Sequence, residues 1–122
     1  MKHALVVIVL ALAAVAGAAP ADAHAFLDRA EPAVGSTVVS APAAVRIWFT
    51  EALEPAFSTI AVTDAQGHAV GTGKATLDPK DPMLLVLALP PLPPGTYRVA
   101  WRVVSVDTHP TEGDFAFTVK TP

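Results

Sequence analysis

Apolar and polar residues alternate over several short stretches of this chain. Val45, Ile47 and Phe49 alternate with Arg46 and Trp48, the two-residue period of a strand with one buried face. Ile60 and Val62 open a second such strand, which runs into the turn cluster Asp64-Ala65-Gln66-Gly67. Tyr97, Val99, Trp101 and Val103 form the clearest one, with Arg98, Ala100 and Arg102 on the opposite face. Phe115, Phe117 and Val119 repeat the pattern against Asp114, Ala116 and Thr118. Met83 to Leu89 is instead continuously apolar, which predicts a strand covered on both faces or one running from an edge into the core. Pro90-Pro91-Leu92-Pro93-Pro94-Gly95 ends it, since proline donates nothing to a ladder. No stretch carries a sustained 3.6-residue apolar stripe. The pattern predicts an all-β fold, an antiparallel, Ig-like, Greek-key β-sandwich of about seven strands.

The first 23 residues break that pattern. Lys2 and His3 precede an almost unbroken apolar run from Ala4 to Ala19, and Ala21-Asp22-Ala23 fits a small-x-small cleavage site. This predicts a secretory signal peptide over residues 1–23, a single domain over 24–122 and a periplasmic location. The apolar run is short for a hydrocarbon core of about 30 Å, which needs roughly 20 residues. The 52% apolar composition owes much to this leader. The chain has no cysteine, so a disulfide and a lipid-anchored cysteine are both excluded and the domain must be held by packing. Net charge is −3. Lys2 and Asp22 cancel, so cleavage leaves it unchanged, and without a basic stretch neither nucleic acid nor anionic lipid is an expected partner.

Cleavage after Ala23 would make His24 the first residue, and a chain-initial histidine offers two nitrogens, its α-amine and its imidazole. Asp107-Thr108-His109, near the other end, supplies a carboxylate and a third nitrogen. In an extended chain residues i and i+2 share a face, with Cα atoms about 6.6 Å apart, so both heads can converge on one ion. Pro110 biases His109 toward an extended backbone. Three nitrogens and one oxygen, with no thiolate available, suit tetragonal Cu(II) better than tetrahedral Zn(II).

The chain also resembles the CopC family of copper-binding proteins. The likeness is carried by His24-Ala25-Phe26-Leu27, Glu31-Pro32-Ala33-Val34-Gly35-Ser36, Ile47-Trp48-Phe49-Thr50-Glu51 and Pro94-Gly95-Thr96-Tyr97-Arg98-Val99. Its most distinctive stretch is Trp101-Arg102-Val103-Val104-Ser105-Val106-Asp107-Thr108-His109-Pro110. The resemblance implies one Cu(II) held by the processed amino terminus, an Asp and a second His, which fall here on His24, Asp107 and His109. It implies a monomeric carrier or buffer in copper resistance or uptake, not an enzyme, with a CopD-type inner-membrane copper transporter as partner. Some members add a Cu(I) site of methionines and a histidine in a central loop. His68 sits in about the right place, but Met83 is the only methionine after the leader, so the chain departs from that pattern.

Two other functions use the same residues differently. A histidine-brace copper oxygenase would need an open copper position, which Asp107 would fill, and a broad flat substrate face that 99 residues leave little room for. A metal-free Ig-like interaction module would make the histidines incidental. Glu51 is readable as a weak axial or orienting carboxylate, as a solvated loop acid, or as a salt-bridge partner of Arg46 or Arg102. Trp48 and Trp101 are expected in the core or around the site, and Glu112 and Asp114 in a solvated loop near it.

Overall fold

Two four-stranded sheets pack face to face in the computed structural model, which describes residues 24–71 and 73–121; the leader lies outside the described residues. The strands are β1 (Leu27–Glu31), β2 (Thr37–Val38), β3 (Ala44–Phe49), β4 (Thr59–Thr63), β5 (Thr76–Asp78), β6 (Asp81–Ala88), β7 (Gly95–Val104) and β8 (Pro110–Val119), with one 3-10 turn at Pro55–Phe57. One sheet has the order β1-β3-β6-β5 and the other β2-β8-β7-β4. All pairings are antiparallel except β2 with β8, which is parallel. The sandwich is therefore as expected, with a parallel edge pair that alternation does not signal.

The alternation sets the core. Val45, Ile47 and Phe49 of β3, Leu85 and Leu87 of β6, Tyr97, Val99, Trp101 and Val103 of β7, and Phe115, Phe117 and Val119 of β8 all point inward and are buried. Tyr97 and Phe117 are cross-strand partners and stack at 5.5 Å between ring centroids. The Tyr97 hydroxyl donates to the Pro93 carbonyl at 2.5 Å, tying the proline-rich connection to the start of β7 in the manner of a tyrosine corner. Phe49 meets Trp101 edge-on at 5.2 Å, joining the two sheets.

Two expectations need correction. Trp48 is not core: it has the opposite parity to Ile47 and Phe49, is only partly covered, and lies under the Arg29 guanidinium at 3.6 Å. Its register partner Leu84 is buried, so the continuous apolar run of β6 serves the core with Leu85 and Leu87 and the outer face with Leu84. Glu112 and Asp114 are not in a loop; they lie on the exposed face of β8, where Asp114 pairs with Arg98 of β7 at 2.6 Å.

The register defines two poles. At one meet the segment before β1, the β3–β4 connection, the start of β6 and the β7–β8 tip; at the other lie the proline-rich connection and the turn after β4. The three residues predicted to bind metal all fall at the first pole.

Candidate metal centre

The segment His24-Ala25-Phe26 is fastened on both sides. Ala25 is fully buried, and a methyl-sized plug there sinks the chain into the sandwich edge. Thr111 of β8 donates its hydroxyl to the Ala25 carbonyl at 2.5 Å. Thr50, just past β3, accepts from the Phe26 amide at 2.9 Å through its hydroxyl, which lies 3.4 Å from the His24 carbonyl. The Thr50 amide donates to the Phe26 carbonyl at 2.9 Å. A register shift between Leu27 and Arg29 follows immediately; such bulges re-aim the chain at sheet rims. His24 is thereby held beside the β7–β8 tip.

That tip is a five-residue connection, Ser105 to His109, between the paired Val104 and Pro110. The sequence suggested an extended presentation of Asp107 and His109. The structure instead folds them into a turn in which the Thr108 amide donates to the Ser105 carbonyl at 2.8 Å and Thr108 has φ 72°. A β-branched residue in the left-handed region is unfavourable, and it is held there by the bonds around it. The tip is backed by the β3–β4 connection: the Val106 amide donates to Ala52, the Glu54 amide donates to Val104, and Leu53 bridges Ser105.

Two segments far apart in sequence meet here. The His24 and His109 rings lie 4.7 Å apart between centroids, tilted by 51°. His109 Nδ1 is 3.3 Å from Asp107 Oδ2. The other Asp107 oxygen accepts from the Ser105 hydroxyl. That bond, more than the neighbouring imidazole, holds the Asp107 carboxyl below the usual carboxylate range against a smaller opposing effect of desolvation. Phe26 packs beside His24 at 6.1 Å. Among the described residues no three His, Asp or Glu side chains stand close enough to hold an ion by themselves. His109 instead stands beside each of the other two in turn, the His24 ring on one side and the Asp107 carboxylate on the other.

Residues 27–120 match the CopC domain. The chain belongs to the CopC family. Among its CopC relatives, copper resistance protein C of Xanthomonas campestris pv. juglandis is 39% identical over 118 residues, covering 92% of each chain. The solved structure of CopC from Methylosinus trichosporium OB3b superposes with a TM-score of 0.75 at 37% identity, covering 80% of this chain and 94% of that one. PcoC, a methionine-rich copper resistance protein from Escherichia coli, superposes with a TM-score of 0.70 at 39% identity, covering 80% and 99%. This CopC chain has two methionines in all, Met1 and Met83, and Met83 sits on β6.

The other candidates fall elsewhere in the CopC fold. His68 is exposed in the turn after β4 and faces Asp64 at 3.5 Å, at the far pole from His24. Glu51 adjoins Thr50 at the site pole and is half-buried, with no ion pair to Arg46 or Arg102 among the described residues. Sequence reasoning missed Thr50, Ser105 and Thr111, the hydroxyls that fix both halves of the site. Only the placement of Ser105 and Thr111 within two residues of Asp107 and His109 hinted at those two.

Proposed function

We propose that the protein is a periplasmic Cu(II) carrier or buffer that binds one ion through the α-amine and imidazole of a processed His24, a carboxylate oxygen of Asp107 and the imidazole of His109. The observation that carries this reading is the approach of the His24 and His109 rings to 4.7 Å with Asp107 alongside. Nitrogen and oxygen donors without sulfur suit Cu(II), which also heads the affinity order for such donors. While Ala23 precedes it, the His24 nitrogen is an amide and does not ligate; cleavage frees it as the fourth donor. Loading is thereby confined to the protein after export.

The domain carries copper without catalysis. Asp107 occupies the position that an oxygen-activating copper would need open, and the ion is cargo passed to a CopD-type inner-membrane transporter. Affinity falls as pH drops, because the amine and both imidazoles must be deprotonated to bind. The test is the intact mass of the exported protein followed by a Cu(II) titration on the same sample. The expected result is a chain beginning at His24 that takes up one equivalent with nitrogen couplings in its EPR spectrum. A different first residue, or no uptake, overturns the reading.

A further inference from the structure

We propose that Ser105 is a positioning residue of the copper site, whose buried hydroxyl fixes the Asp107–His109 loop and engages one Asp107 oxygen, leaving the other turned to His109. This deepens the copper reading above and rests on it. Ser105 is 1% exposed, so its hydroxyl is in a place where an unpaired polar group is costly. Every partner of that hydroxyl belongs to the candidate ligand loop. It donates to Asp107 Oδ1, accepts from the His109 amide at 3.3 Å, and lies 3.4 Å from the His109 carbonyl. The Ser105 backbone closes the same loop, its amide donating to His109 at 3.2 Å and its carbonyl accepting from Thr108 at 2.8 Å. The residue is anchored from behind by its bridge to buried Leu53.

With Oδ1 engaged, the oxygen that Asp107 offers is Oδ2, the one 3.3 Å from His109 Nδ1. A four-donor tetragonal set takes one oxygen from its carboxylate, and a second would crowd the plane. Ser105 therefore selects which oxygen binds and on which side.

A second buried hydroxyl at the same pole separates this role from a merely structural one. Ser58 is 4% exposed. It donates to the Glu54 carbonyl at 2.8 Å and accepts from the Val104 amide at 3.2 Å, touching backbone only. Ser105→Ala and Ser58→Ala remove comparable buried hydrogen bonds, and each should lower Tm by about 4–8 °C.

The experiment uses protein beginning at His24 and copper(II) sulfate, with affinity measured by chelator competition and site geometry by EPR. Ser105→Ala should lose about 10–100-fold in Cu(II) affinity, the range for outer-shell partners, and show altered copper hyperfine splitting. Ser58→Ala should keep the wild-type affinity and spectrum, and Ser105→Thr, which retains the hydroxyl, should stay within about threefold of wild type. In an Asp107→Asn background the Ser105→Ala effect on affinity should shrink, since part of it acts through that carboxylate. An unchanged spectrum and affinity in Ser105→Ala, or an equal loss in Ser58→Ala, overturns the proposal and leaves the copper reading intact. Failure of the wild-type protein to bind Cu(II) overturns both. If Ser105→Ala does not fold, a hundredfold loss in the folded Ser105→Thr variant overturns the proposal as well.

Discussion

The sandwich carries an aspartate–histidine pair at each pole. Asp107 and His109 are 3.3 Å apart at the β7–β8 tip, and Asp64 and His68 are 3.5 Å apart in the turn after β4. Both carboxyls are held below their ordinary range, Asp107 chiefly by a serine hydroxyl and Asp64 chiefly by the His68 backbone amide. The pairs differ in what faces them. The aspartate of the second caps its own turn through the Gln66 and His68 amides, both at 2.9 Å. The first faces the ring of His24, brought from 83 residues away along the chain by a buried alanine and two threonines. A carboxylate beside an imidazole is common turn furniture. What sets one apart is topology that delivers a second imidazole.

Substitutions that treat the two pairs alike separate them best. His109→Ala should weaken Cu(II) binding by more than the 10–100-fold cost of an outer-shell change, while His68→Ala leaves it unchanged; copper competition titrations on both proteins check this. Equal losses would erase the distinction between the poles. Next in size is the packing beneath the site. A Cβ added at Gly113 would stand 2.5 Å from Trp101 Cζ2, so Gly113→Ala should displace the indole from Phe49 and cost about 1–3 kcal/mol, measured by urea unfolding. Gly67 at the far pole has φ 83° but open space around it, so Gly67→Ala should cost less, through backbone conformation alone.

Smaller effects test how each pole is fastened. Thr111→Val removes the bond to the Ala25 carbonyl, and Tyr97→Phe removes the bond to the Pro93 carbonyl; each should cost about 1 kcal/mol or somewhat more. Only Thr111→Val should also raise the rate at which bound copper is lost to a chelator. The smallest effect concerns acid. Asp107 and Asp64 have folded pKa values below the ordinary carboxylate range, so each stabilises the fold above that range, and the contribution is lost as pH falls through the lowered value. Asp64→Asn and Asp107→Asn should each flatten the acid limb of the metal-free protein slightly, while only Asp107→Asn impairs copper binding.

Much of the fold was legible because its strands are amphipathic. β3, β4, β7 and β8 announce themselves through alternation, and their inward residues are the core. β1 was silent because only Ala30 of its five residues is buried, and β2 and β5 are two and three residues long. Trp48 was misplaced because its size argued for burial while its parity argued against it; parity won, and an arginine covered the ring. Glu112 was read as loop, and Asp114 both as loop and as the outward start of the last alternation; pairing with β7 carries both into the ladder. His24, Asp107 and His109 were legible as chemistry. Their supports were not, since Thr50, Ser105 and Thr111 act through contacts made only in three dimensions.

The central claim is that the amino group of His24 is a copper ligand. The direct measurement is Cu(II) affinity and EPR for protein starting at His24, set beside the same protein with one alanine ahead of it. The extra residue converts the amine to an amide while leaving both imidazoles and the carboxylate in place. A loss of orders of magnitude in affinity and one fewer coupled nitrogen are expected. Equal affinity and an identical spectrum in the two proteins would contradict it.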